Sequence, residues 1–390
     1  TLVIAEIAIS LMLVVGAGLL LRSLFNLERV NAGFAAPPDR LVHVLISNSS
    51  RDANSPAVGL AVYNEVLRRV RALPGLEIAA FTDSLPPDRQ GDADTFGIEG
   101  QNLAAGQLNP IVSAATAGPG FFETLRIPLV KGRTFNDHDT PNSRPVAIVS
   151  EGFARRFLPG EDPIGKRIRQ SSAAMGNPWM EIVGVVGNVK YLGLTTDTEA
   201  AYYVPLAQSY SPITLLVART SASASSVADS LRRTVQSVDP GLTVAWVGTM
   251  ENDMRHSVSQ PRFDTALLAA FAAIALLLAA VGIYGLIAYS VALRTHEIGV
   301  RMALGAARSD VVGMVLRQGA SLAAIGIALG LAGAFALTRL LDTMLFGVRA
   351  TDALTFAAAP AALLAVVLLA ALAPALRAAR VSPIDAIRYE

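Results

Sequence analysis

The sequence predicts a membrane α-helical protein: four transmembrane helices plus an α+β extracytoplasmic domain of two subdomains, inserted between the first helix and the second. Three observations predict it. Four long runs are apolar enough to cross a bilayer, which takes about 20 residues each. The long stretch between the first two runs alternates strand-like and helix-like patterns separated by Pro/Gly turns. Basic residues gather in one short loop and in the tail, which fixes a side for each segment.

The first span covers residues 1–21; Leu2–Leu21 carries Glu6 as its only charge. An intramembrane carboxylate can carry protons or substrate. Glu6 sits near the predicted cytoplasmic end, so snorkelling or helix packing is the favoured reading. The run lacks a basic leader and is too long for a signal peptide core. Thr1 opening directly into it reads as the start of a fragment of a longer chain.

Residues 22–262 form the extracytoplasmic domain. Leu41–Ile46 alternates like a strand, and Ala57–Leu73 places Val58, Val62, Val66, Val70 and Leu73 at helical spacing. Pro74-Gly75 then turns into a strand at Leu76–Phe81. The same order recurs later: a strand at Ile213–Arg219, a helix at Ser225–Val238 with Val227, Leu231, Val235 and Val238 on one face, then Pro240-Gly241 and Leu242–Val247. Two β-α-β units then build a split α/β sandwich, although so short an internal match also arises by chance. Between them, about residues 95–210 read as an inserted small α/β lobe. It has strands at Val146–Val149, Glu181–Val186 and Tyr202–Leu206 and a helix at Glu151–Phe157.

The second span occupies residues 263–293 and is free of charge from Ala266 to Ala292. Residues 294–318 form a cytoplasmic loop, 319–340 the third span, 355–376 the fourth and 377–390 a cytoplasmic tail. In the third, Gly326, Gly330 and Gly333 fall near one face. Such stripes let helices approach closely, and packing within the chain is favoured over a dimer seam. Arg294, Arg301, Arg308 and Arg317 in the loop, and Arg377, Arg380 and Arg388 in the tail, place both inside. The turn after the third span balances Arg339 and Arg349 against Asp342 and Asp352. Arg22 and Arg29 run mildly against this orientation, which long translocated domains tolerate.

Composition excludes several functions. Hydrophobic residues make up 52% and charged residues 16%, against about 25% charged in soluble domains, and mean hydropathy is +0.46. A net charge of +1 gives no footprint for nucleic acid. With no cysteine there is no disulfide, thiol nucleophile or thiolate-bound metal. Gly160–Arg167 resembles a phosphate-binding loop, but it lacks the final Ser/Thr and contains Pro163; an exposed turn fits better. Asp137-His138-Asp139 reads as a solvated cluster rather than a metal site, and His296-Glu297 lacks the second histidine of a zinc protease helix. No Ser-His-Asp arrangement is legible.

The informative segment is Arg294–Gly319. Glu297 and Arg301 stand at i,i+4 in the favourable order. Ile298, Met302 and Leu304 supply an apolar side, Gly305 can stop the helix, and Ser309 can cap the next one with Asp310 in its first turn. A short amphipathic helix follows. A partner-docking element and a plain linker look alike at this level.

The wording of several segments resembles the permeases of the MacB/FtsX type of ABC transporter. RTHEIGVRMALGA (Arg294–Ala306) looks like that family's cytoplasmic motif, as do Phe271–Ala292 before it and the tail Pro374–Glu390. GEDPIGKRI (Gly160–Ile168) and EIVGVVGNVK (Glu181–Lys190) resemble its extracytoplasmic core. The similarity covers nearly the whole chain and is greatest to one half, the second, of the duplicated orphan permeases. The tail departs from the family's Pro-Ala-Arg-Arg-Ala, reading Pro374-Ala375-Leu376-Arg377-Ala378.

The resemblance implies an inner (cell) membrane permease with a porter-like split β-α-β lobe and the small inserted lobe. Its implied partners are an ABC-type ATPase subunit, a second permease half (upstream in the same chain or another copy), the lipid membrane and a further partner in the periplasm. ATP and magnesium belong to the ATPase, and the chain itself is not an enzyme. Arg294, Glu297, Gly299, Arg301, Leu304 and Gly305 are the implied coupling residues, with Glu297 and Arg301 positioning the helix. Motion driven by ATP hydrolysis passes to the external domain for export or extrusion. The alternatives are a signalling scaffold controlling an external partner and a lipoprotein-releasing permease.

Overall fold

The computed structural model describes residues 2–50, 52, 54–89, 92–101, 110–170, 177–196, 200–341 and 345–380. Helix α1 (Leu2–Glu28) leads into an α+β unit, Val30–Ser257. In chain order that unit holds β1 (Leu41–Asn48), α2 (Pro56–Arg71), β2 (Leu76–Thr82), β3 (Asp92–Ile98), β4 (Ile111–Ala117), α3 (Phe121–Leu125), β5 (Leu129–Gly132), β6 (Val146–Ser150) and α4 (Glu151–Phe157). It continues with β7 (Arg167–Gln170), β8 (Met180–Val186), β9 (Ala201–Pro205), β10 (Ile213–Thr220), α5 (Ala224–Gln236), β11 (Leu242–Thr249) and α6 (Met250–Ser257). Helices α7 (Ser259–Leu293), α8 (Thr295–Ala303), α9 (Arg308–Leu341) and α10 (Ala353–Ala378) follow and form a second unit with α1.

In the α+β unit the strands run β11-β1-β10-β2 at one end of the sheet. β1 pairs antiparallel with both β10 and β11, and β10 pairs antiparallel with β2. The two strands of each β-α-β stretch are thus parallel, with a strand of the other stretch between them. α2 and α5 cover this end through Tyr63, Val66, Val70, Leu231 and Val235. The strict four-residue spacing of valines misplaces one residue. Each such step turns about 40° further round a helix, so Val58 is exposed and Tyr63 takes the central buried place. The two Pro-Gly turns also differ. Gly75 sits at φ +81°, whereas Gly241 is needed for space, since a Cβ there would lie 2.8 Å from the Cβ of Ser50.

The inserted residues share one sheet with the flanking β-α-β strands. β4 joins β2 through the Thr82–Ala117 pair and continues one sheet to β3, β7, β8, β6 and β9. One buried cluster, holding Leu41, Ala80, Phe121, Phe122, Ile148, Tyr203 and Leu215, runs under both parts. Among the described residues, the far end of the insertion has a core of its own around Phe96, Phe153, Ile182 and Tyr202. Beside the junction, Asp83 accepts the Thr116 amide at 2.9 Å and the Ser84 hydroxyl at 2.8 Å. Burial pushes its carboxyl above the ordinary range, and the Thr116 and Ser84 hydrogen bonds only partly offset this. In the native state Asp83 therefore keeps its proton to higher pH than in the unfolded chain, and stability falls as pH rises through that window. Asp83→Asn is expected to remove the fall: melting curves from about pH 4 to 7 should separate progressively in the variant's favour. A constant separation would contradict this origin.

In the other unit, α1, α7, α9 and α10 are each long and apolar enough to span a bilayer. Every helix outruns the expected span, α1 to Glu28 and α9 back to Arg308, because backbone hydrogen bonding does not stop where the apolar run ends. α1 lies at the centre of a core with Ile283, Ile287, Leu363 and Val367. The glycine stripe packs within the chain. A Cβ at Gly326 would lie 2.4 Å from Ile7 Cγ2, one at Gly330 2.9 Å from the Ala8 carbonyl oxygen, and one at Gly333 2.0 Å from Met12 Cε. Leu277, Leu278, Val281 and Leu369 remain exposed, as lipid-facing side chains are.

Glu6 packs rather than snorkels. Its Oε2 would touch a Cβ at Gly282, in the middle of the charge-free run of α7. That oxygen is buried with no hydrogen-bond partner among the described residues. Asp342 and most of the tail, including Arg388 and the match from Val381 to Glu390, lie outside the described residues.

Candidate coupling site

The residues singled out from the sequence lie on α8 and its two ends. Thr295 donates its hydroxyl to the Val291 and Ala292 carbonyls, both at 3.0 Å, and so ties the new helix to the end of α7. The Ile298 amide donates to the Arg294 carbonyl at 2.9 Å. At the other end Gly305 adopts φ +99°. Its amide donates to the Met302 carbonyl, and the Ala306 amide to Arg301, at 3.1 and 3.0 Å. This pair of bonds is the Schellman stop, which needs a left-handed residue and hence glycine.

The inner face of α8 is Ile298, clustered with Val311 of α9 and Ala378 of α10 and flanked by Met302 and Met314. Gly299 is buried beside it. Leu304 does not join this face, contrary to the sequence reading. Six residues after Ile298 it has turned about 240°, and it is 85% exposed. Val300 is likewise outward. The outward surface thus carries two apolar side chains beside Glu297 and Arg301, whose carboxylate and guanidinium meet at 2.5 Å. Arg301 also reaches Met314 Sδ at 3.2 Å. An exposed pair of this kind contributes about 0.3–0.5 kcal/mol, so its main effect is to hold two side chains in place.

The cap of α9 differs from expectation. The helix starts two residues earlier, leaving Ser309 inside its first turn. Ala307 holds the capping place without a side-chain oxygen, so Asp310 reaches back and accepts the Ala307 amide at 3.1 Å.

The remaining sequence candidates are tied into structure. Lys166 of the loop-like segment pairs with Glu161, and Lys131 with Asp162. Asp139 accepts two guanidinium bonds from Arg133, each 2.8 Å, and the Asn136 amide. No group of three metal-ligating side chains occurs among the described residues.

One pair was not legible in advance. His43, fully buried on β1, places Nε2 2.7 Å from Asp253 on α6, the helix whose chain continues directly into α7. The ring lies 4.6 Å from Trp246, and Arg89 stacks over the other ring at 4.8 Å. The only signal in sequence is a histidine in an alternating apolar strand.

Two family profiles match this chain: the MacB-like periplasmic core domain over residues 1–234, and the FtsX-like permease C-terminal region over 269–383. The chain belongs to the MacB/FtsX permease family. As such it is an ABC transporter permease and a multi-pass membrane protein. Relatives of this MacB/FtsX permease include the pyoverdine export ATP-binding/permease protein PvdT of Pseudomonas putida, 28% identical over 69% of this chain and 42% of the relative. The macrolide export ATP-binding/permease protein MacB of Nitrobacter winogradskyi is 29% identical over 72% of this chain and 44% of its own. The uncharacterized ABC transporter permease YknZ of Bacillus subtilis is 25% identical over 70% and 68%. The MacB/FtsX permease described here therefore spans less than half the length of the first two. The periplasmic region of MacB from Actinobacillus actinomycetemcomitans aligns over 58% of this chain and 95% of its own, at 10% identity and a TM-score of 0.38.

Proposed function

We propose that this permease couples ATP hydrolysis by a partner ATPase to movement of the α+β domain on the far side of the membrane, for export or extrusion of a substrate. The observation that carries this is α8. Its inner face is fixed to α9 and α10, while Val300 and Leu304 stand outward beside the Glu297–Arg301 pair. Exposed apolar side chains framed by charge suit a short docking helix. Arg294, Gly299 and Gly305 shape this helix, and Glu297, Arg301 and Leu304 meet the partner. ATP and magnesium bind the ATPase. Basic residues around α8 put it inside, which places the α+β domain outside the inner membrane. A second permease half, upstream in the same polypeptide or another copy, completes the transporter.

Purification of the full-length protein from its native membrane, with mass spectrometry and an ATPase assay, tests this. Glu297→Lys and Leu304→Asp should each reduce the copurified ATPase about tenfold, an interfacial loss of about 1.4 kcal/mol, with membrane insertion unchanged. Unchanged copurification in both variants would remove α8 from the coupling role. Absence of any ATPase under mild conditions would favour a stand-alone scaffold.

A further inference from the structure

The α+β unit contains a cavity of about 780 Å³ that neither the coupling helix nor the membrane core explains. That size falls within the range of small-molecule sites, about 300–1,000 Å³. One wall is the outer face of α2. The opposite wall is the loop Asn136–Pro141; Leu60, Leu67 and Pro119 give it accessible apolar surface, and the buried Phe81, Phe135 and Leu206 form its floor. Ala57, Ala61 and Gly118 are small where larger side chains would close it.

The charges on the two walls are unequally committed. On the loop, Asp139 is satisfied by Arg133 and the Asn136 amide, leaving Asp137 as the one exposed carboxylate of the loop rim. On α2, Arg68 and Arg71 both line the cavity, one turn apart. Arg68 is held by Glu65 through Nε and Nη2 at 2.7 and 2.6 Å. Arg71 donates one Nη2 bond to the Ala79 carbonyl at 3.0 Å and has no carboxylate partner among the described residues. A guanidinium fixed at one nitrogen and open at the others is a ready anion receptor.

We propose that this cavity binds an amphipathic organic anion, its charged group on Arg71 beside Arg68 and its apolar body against Leu60, Leu67 and Pro119. The inference does not depend on α8 or on an ATPase partner.

The probe is anilinonaphthalene sulfonate, an apolar ring system with one sulfonate, titrated into the full-length protein in nanodiscs of zwitterionic lipid, with empty nanodiscs as the blank. Saturable fluorescence is expected. Arg71→Gln should raise the Kd at least fivefold, since glutamine keeps a polar side chain on α2 but carries no charge. Ala61→Trp should abolish saturation by filling the cavity. A cationic dye of similar size should not compete. Binding that survives both variants, equal competition by the cation, or signal no greater than the blank would each overturn the proposal. Arg71 is exposed, so its variant keeps the test decisive even where Ala61→Trp disturbs folding.

Discussion

Replacing Gly326 by leucine is expected to lower the melting temperature of the detergent-solubilised protein by about 10 °C, through a loss of about 3 kcal/mol. The first atom of any side chain at 326 would lie 2.4 Å from Ile7 Cγ2, 2.7 Å from Ile7 Cβ and 3.3 Å from the Ile4 carbonyl oxygen. Ile7 is itself fully buried in the bundle core and cannot swing aside. The clash must therefore be relieved by separating α1 from α9. In a bilayer the association of those helices rests on close packing, because lipid is as apolar as their side chains. Gly313→Leu on the same helix is the control, since nothing lies within 4 Å of a Cβ there. Circular-dichroism melts of both variants decide the matter. Equal losses would mean that helix propensity or insertion, and not the α1–α9 contact, sets the stability.

His43→Ala is expected to raise amide exchange in α6 about a hundredfold, a local loss of about 3 kcal/mol. The histidine fills the space between Trp246 and Asp253 and has no solvent-exposed surface. Its removal leaves a cavity under the indole and an aspartate without its nearest partner. Met250 and Met254 still hold one side of α6 against the core, so the helix should loosen rather than detach. Hydrogen exchange resolved by mass spectrometry provides the readout. Peptides covering Met250–Ser257 should exchange faster while those covering β6 and α4 stay protected. Uniform deprotection of the whole unit would show that His43 supports the sheet generally, and unchanged protection of α6 would show that the contact with Asp253 contributes nothing.

By itself the sequence determined four apolar runs long enough to span a bilayer, the place of the α+β insertion and a short helix within Arg294–Gly305. Each is written locally. A bilayer demands a continuous apolar run, a helix declares itself by its period, and Gly305 marks a stop that only a left-handed residue can make. Most strand positions in the two β-α-β stretches were legible for the same reason. The tertiary structure decided what depends on distant neighbours. Among the described residues the Thr82–Ala117 pairing joins the β-α-β strands and the insertion into one sheet, and no local pattern announces it. Leu304 looked like part of an apolar side until the position of Ile298 against α9 and α10 fixed which side faces inward. Glu6 became a packed group because Gly282, far along the chain, leaves room for its oxygen. The His43–Asp253 pair and the cavity beside α2 join residues from separate elements. Such contacts leave almost no local trace, because the free energy that selects them arises only when the elements pack.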